Sequence, residues 1–168
     1  MNKLITQNIS RFIFLLFIQV VVLNQFDLLK FINPMVYVLW VILFPIRKDI
    51  FLILISSFVL GLSIDFFSDS GGIHAAALTF VAFIRLPLLK AVLGKSEFDY
   101  LLFNIRSISF LKAFIFIGNI VLIHHLLVFG LEYFNFNEFF EIIKKTIIAS
   151  IITTFICILG IILFSNKR

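Results

Sequence analysis

The sequence predicts an all-α integral membrane protein, with about six transmembrane helices in one bundle and a single transmembrane domain over residues 1–168. Three observations carry this expectation. Hydrophobic residues make up 62% of the chain and charged residues only 14%, whereas soluble globular chains run near half apolar and a quarter charged. A soluble chain of this size must cover itself with polar surface, and this one lacks the residues to do so. Apolar runs approaching the roughly 20 residues that cross a hydrocarbon layer recur from end to end. The basic residues, finally, fall mainly on one side of the alternating pattern these runs define.

The first run, residues 9–29, follows Lys3 and Arg11 and in that respect resembles a signal peptide. It ends in Asn24-Gln25-Phe26-Asp27 with no small-residue cleavage site, so it reads as an uncleaved first helix. Asn33-Pro34 opens the second, residues 34–46, which Pro45 and the charged turn Arg47-Lys48-Asp49 close. This run is short for a span unless it is extended or buried in the bundle. The third run covers 50–67 and the fourth 73–93, with Ser68-Asp69-Ser70-Gly71-Gly72 as a tight turn between them. The fifth covers 108–131 and the sixth 142–164.

With six spans, one side receives Lys3, Arg11, Arg47, Lys48, Lys90, Lys95, Arg106, Lys112, Lys167 and Arg168, and the other only Lys30, Lys144 and Lys145. The bias places both termini in the cytoplasm. The net charge of +5 then reflects anchoring near anionic lipid headgroups and gives no reason to expect nucleic acid as a partner. Two connecting segments read as interfacial. Ser96-Glu97-Phe98-Asp99 matches a capping box ahead of an amphipathic stretch, although an ordinary turn fits equally well. Tyr133 to Phe140 carries aromatics suited to the outer interface.

Asp65 is the sharpest chemical signal, because an ionisable group at membrane depth is costly unless partnered. Ser57, Gly61, Asp65 and Ser68 share one helical face, which must point into the bundle or a cavity. An equally weighted reading places Asp65 at the outer interface, capping the turn before Gly71-Gly72. Arg85 is the natural partner type, but it lies about twelve residues into the next helix. It is expected to snorkel along the hydrocarbon rather than meet Asp65. His74 is expected to satisfy backbone groups of the turn, and His125 to bond to a neighbouring helix. His124 and His125 are adjacent in sequence, about 100° apart on a helix, which does not suit a shared metal. Thr146, Ser150, Thr153, Cys157 and Gly160 form a small-residue stripe on the sixth run, and Ala75, Thr79 and Ala82 one on the fourth. Such stripes let helices approach closely in lipid. Cys157 reads as a buried free thiol. No nucleophile sits with a base and an orienting group, so neither catalysis nor a cofactor is expected.

Gly61-Leu62-Ser63-Ile64-Asp65, followed by Ser68, Gly71 and His74-Ala75-Ala76, resembles the rod shape-determining protein MreD family. Asn33-Pro34 before the second run is also similar to that family, and the resemblance covers the whole chain by length and span pattern. It implies a non-enzymatic component of the bacterial cell-elongation machinery in the cytoplasmic (inner) membrane. The implied partners are an MreC-like bitopic protein and, directly or through it, a RodA-type glycan polymerase with its penicillin-binding transpeptidase. It also implies a fold like the substrate-binding subunits of energy-coupling vitamin transporters, which supplies the rival expectation of a small-molecule-binding subunit. On this reading the residues expected to shape structure or bind a partner are Gly61, Asp65, Ser68, Gly71, His74 and Arg85.

Overall fold

The computed structural model describes residues 2–25, 33–46, 49–94, 105–133 and 138–164. Among the described residues five helices are long and apolar enough to cross a membrane: Thr6–Leu23, Phe51–Ser68, Ile73–Leu93, Phe110–Tyr133 and Phe139–Leu163. No strand occurs among the described residues. This is an all-α membrane bundle, the form in which a chain meets its own backbone hydrogen bonds when lipid offers none.

Helix α1 covers Asn2–Phe17 and continues as a π-helical stretch, Ile18–Leu23, before the polar pair Asn24-Gln25 ends it. Helices α3 (Phe51–Ser68) and α4 (Ile73–Leu93) form a tight hairpin. The turn between them needs left-handed backbone at Asp69 (φ 52°), Gly71 (φ 65°) and Gly72 (φ 96°), which explains the two glycines. Helices α5 (Phe110–Tyr133) and α6 (Phe139–Phe164) form a second hairpin, and α4 packs on α5. At one end of the bundle, here the Leu93 end, Lys112 donates to the Leu93 carbonyl at 3.4 Å. At the opposite, Ser68 end, the Asn24 amide donates to Ser68 Oγ at 3.0 Å.

The second expected span is where the structure departs from the sequence pattern. Residues 34–46 do not form a spanning helix. They form one 3₁₀ turn, Val36–Val38, and the five-residue helix α2, Leu39–Leu43, about 8 Å long at 1.5 Å per residue. Pro34 and Pro45 bracket the stretch, and each lacks a backbone donor and disfavours helix just before it. What remains between them is too short for a full span. The segment survives at membrane depth because it is sealed inside the bundle: Tyr37, Val38 and Val41 are 0% exposed. Irregular backbone is tolerated there only when protein, not lipid, surrounds it.

The small-residue stripes face inward. Thr146, Ser150, Thr153 and Cys157 on α6 are buried. A Cβ on Gly160 would come within 2.6 Å of Leu39 Cδ2, so the stripe seats α2. On α4, Ala75 and Ala82 are buried, while Thr79 is half-buried and returns its hydroxyl to the Ala75 carbonyl at 2.7 Å. Ala75 lies against Gly61 of α3, where an added Cβ would sit 2.5 Å from Ala75 Cα and 2.7 Å from the His74 carbonyl. The capping box at residues 96–99 and the aromatic connector at 134–137 lie outside the described residues.

Candidate functional site

Asp65 stands one turn before the end of α3, 4% exposed, and reaches across the hairpin to the start of α4. Its Oδ1 accepts from the Ser70 hydroxyl at 2.6 Å and the His74 amide at 2.9 Å, and its Oδ2 accepts from the Ala75 amide at 2.8 Å. The first amides of any helix have no partner within it. Here a carboxylate from the neighbouring helix supplies one, and the positive end of the α4 dipole favours its charge. Asp65 is therefore both buried and the cap of the turn. The contact requires α3 and α4 to touch at Gly61 and Ala75, because a bulkier residue at Gly61 would hold the carboxylate off the amides.

The same turn presents the His74 ring to the short segment. His74 Nδ1 lies 2.7 Å from the Tyr37 hydroxyl, which lies 3.2 Å from His124 Nε2 on α5. A phenol has one proton, so when Tyr37 donates to one imidazole the other must donate to Tyr37. The two bonds are thus coupled. The neighbouring His125 makes a separate chain. Its Nδ1 meets the Val121 carbonyl at 2.9 Å and so carries a proton. In the neutral ring Nε2 then accepts from the Thr153 hydroxyl at 3.2 Å, and Thr153 Oγ1 accepts the Met35 amide at 3.3 Å.

Both chains end on residues 35–37, and two further side chains complete the grip. From the π-helical stretch of α1, Gln19 accepts the Val36 amide at 2.9 Å and donates to the Pro34 carbonyl at 3.2 Å. At the other end Arg85, 6% exposed, donates Nη2 to the carbonyls of Ile42 (3.1 Å) and Phe44. These are carbonyls that the last turn of α2 leaves open, and a cation is favoured at that end of the dipole. The expectation that Arg85 snorkels to the interface is therefore corrected. The broken helix beside it offers bare carbonyls within direct reach of the guanidinium. Asp65 and Arg85 do not meet; each serves a different helix end.

A cavity of about 810 Å³ opens at the Ser68 end. Gln19, Asn24, Asn33, Tyr37 and His74 line its polar floor and wall, Phe67 and Phe129 its apolar sides, and Asp69, Glu132 and Lys145 contribute charges. Lys145 donates to the Tyr133 hydroxyl and lies 4.6 Å from the centre of its ring. The ion pair found among the described residues joins Lys144 and Glu141 and involves none of these three charges.

Of the residues singled out by sequence, Gly61, Asp65 and His74 converge on the α3–α4 junction, and Gly71 shapes the turn beside it. His74 points its ring at Tyr37 rather than at the turn's backbone, because Asp65 already holds those amides. His125 bonds across to α6 as expected. Ser57, Gly61 and Asp65 point into the bundle, while Ser68, exposed at the helix end and held by Asn24, lines the cavity there. Sequence reasoning missed Tyr37 and Gln19, and weighed His124 only as a metal ligand. Gln19, a lone amide inside an apolar run, carried a usable signal; Tyr37 did not, since a tyrosine near a helix end is ordinary in membrane proteins. Among the described residues no three His, Cys, Asp or Glu side chains gather as a metal site would require. No protein-family model matches the chain, and no curated protein or solved structure shows significant similarity to it.

Proposed function

We propose that the chain is a non-enzymatic membrane scaffold of the bacterial cell-elongation machinery. It would sit in the cytoplasmic membrane with both termini inside, the buried irregular segment at 33–46 serving as the return crossing between the parallel helices α1 and α3, and hold an MreC-like bitopic protein, with the polymerase and transpeptidase engaged directly or through it. The observation that supports this reading is the convergence of Gly61, Asp65, Gly71, His74 and Ala75. Residues that are scattered over the motif in sequence form one close-packed, carboxylate-locked junction, and the buried short segment hangs from it through His74 and Tyr37. A scaffold needs such a rigid reference surface, since a mobile one would dilute partner affinity by the entropy of ordering it. Orientation rests on the basic-residue count, which makes the Ser68 end the outer one.

The test is co-purification. Asp65→Leu frees the start of α4 and should reduce recovery of the MreC-like partner at equal membrane abundance. Unchanged recovery at normal abundance would count against the junction as the basis of partner binding.

A second reading has its own support. A vitamin-type transporter subunit needs a polar-lined pocket near the outer face, and the cavity at the Ser68 end has that character. Stabilisation of the purified protein by a water-soluble vitamin would favour this reading over the scaffold.

A further inference from the structure

The cavity at the Ser68 end contains groups that the fold does not use. Gln19 and Asn24 are consumed by bonds within the protein: Gln19 to Pro34, Val36 and Asn24, and Asn24 to Gln19, Asn33 and Ser68. Other groups are not consumed. Asn33 donates its amide to Asn24 at 3.2 Å, but its carbonyl Oδ1 is buried without a partner. His74 spends Nδ1 on Tyr37 and has no protein partner for Nε2 among the described residues. A buried acceptor left open in this way costs stability unless something else meets it.

The charges follow the same pattern. Glu132 at the end of α5 and Lys145 on the first turns of α6 both line the cavity and do not pair with each other. Lys145 leans on the Tyr133 hydroxyl instead. Asp69 adds a second carboxylate on the hairpin side. Two opposite charges line one cavity without forming an ion pair with each other, so each stays open to a charged guest. Low-dielectric walls of apolar helices focus the field of each. A purely anionic or purely cationic guest would meet one favourable and one unfavourable end. A guest carrying both charges meets two favourable ones.

We infer that this cavity binds a zwitterion that pairs a primary ammonium with an anionic group. The ammonium lies toward Glu132 and the open Asn33 carbonyl, and the anion toward Lys145. The ammonium is preferred to a quaternary amine because a carboxylate and an amide carbonyl accept N–H bonds, which a methylated nitrogen lacks. This chemistry has two sources beside a membrane, the headgroup of phosphatidylethanolamine and a free small zwitterion. The inference goes beyond the scaffold reading and stands independently of it.

The experiment uses the full chain in nanodiscs and has two arms. In the first, native mass spectrometry compares lipids retained from equimolar phosphatidylethanolamine, phosphatidylcholine and phosphatidylglycerol. In the second, phosphoethanolamine is titrated into protein in phosphatidylcholine nanodiscs, with heat of binding as the readout. Preferential retention of phosphatidylethanolamine identifies the lipid as the source, and binding of phosphoethanolamine identifies a free ligand; either supports the site. Glu132→Gln and Lys145→Met should each weaken that binding about fivefold, the scale of one partly exposed charge pair. The double exchange Glu132→Lys with Lys145→Glu should recover part of it, because a zwitterion can turn round. The Glu132 side chain, exposed at the end of α5, makes no bond within the described residues, so Glu132→Gln should unfold at the same temperature as the parent in the absence of ligand, whereas Lys145→Met also loses its contact with Tyr133 and is compared at its own unfolding temperature. No preference among the three lipids together with no heat from phosphoethanolamine overturns the inference, as does binding that Glu132→Gln and Lys145→Met leave unchanged.

Discussion

The α3–α4 hairpin and the short segment at residues 33–46 are both buried and both rely on a charged side chain, yet they are held in opposite ways. The hairpin is two regular helices in direct backbone contact, with Gly61 against Ala75, and a single carboxylate closes the turn. The short segment is irregular and has little helix of its own. Its open backbone groups are met by side chains, two by Gln19, one by Thr153 and two by Arg85, from three different helices. The hairpin should therefore fail when something is added to it, and the segment when something is removed from around it.

Substitutions sharpen that contrast. The largest effect is expected at Gly61, where backbone atoms crowd an added Cβ and cannot give way. Gly61→Val should cost about 3 kcal/mol or more, read as loss of folded protein from the membrane fraction. Asp65→Leu leaves the His74 and Ala75 amides without an acceptor and should cost about 3 kcal/mol, with Asp65→Asn milder because one acceptor oxygen remains. Arg85→Met strips the donor from two carbonyls but also removes a buried charge. These partly offset each other, and about 2 kcal/mol is expected. Tyr37→Phe leaves two imidazole nitrogens unmatched and should cost about 1 kcal/mol. Gly160→Ala should cost less than about 1 kcal/mol, since the obstructing atom is the end of the Leu39 side chain, which can rotate away. Thermal unfolding in detergent measures the last three. If Gly160→Ala proved as damaging as Gly61→Val, the contrast between backbone and side-chain contacts would be wrong.

The regular half of the molecule was legible in the sequence. The runs at 50–67 and 73–93 match α3 and α4 closely, because an apolar stretch bounded by glycine and charge has few alternatives in lipid. The inward stripe on α6 was also legible, since small residues among Ile, Leu and Phe stand out. The short segment was legible only in part: its length called for extension or burial in the bundle, and it is buried, but its broken helix was not foreseen. Its apolar content reads as a span, and only the two prolines and its length argue otherwise. The partners that make a broken helix tolerable lie 15 to 118 residues away along the chain, beyond the reach of any local pattern. For the same reason Arg85 was misplaced: from sequence its nearest polar refuge is the membrane surface, whereas in the fold it is the open end of α2. Asp65 was found because its partners follow within ten residues.

The central functional claim is tested most directly by depleting this protein in its own host and imaging cell shape together with the pattern of new wall synthesis. The scaffold account predicts rods that swell into spheres as wall insertion loses its pattern. Cells that keep their shape but require a nutrient supplement to grow would contradict it, and would point to the transporter reading instead.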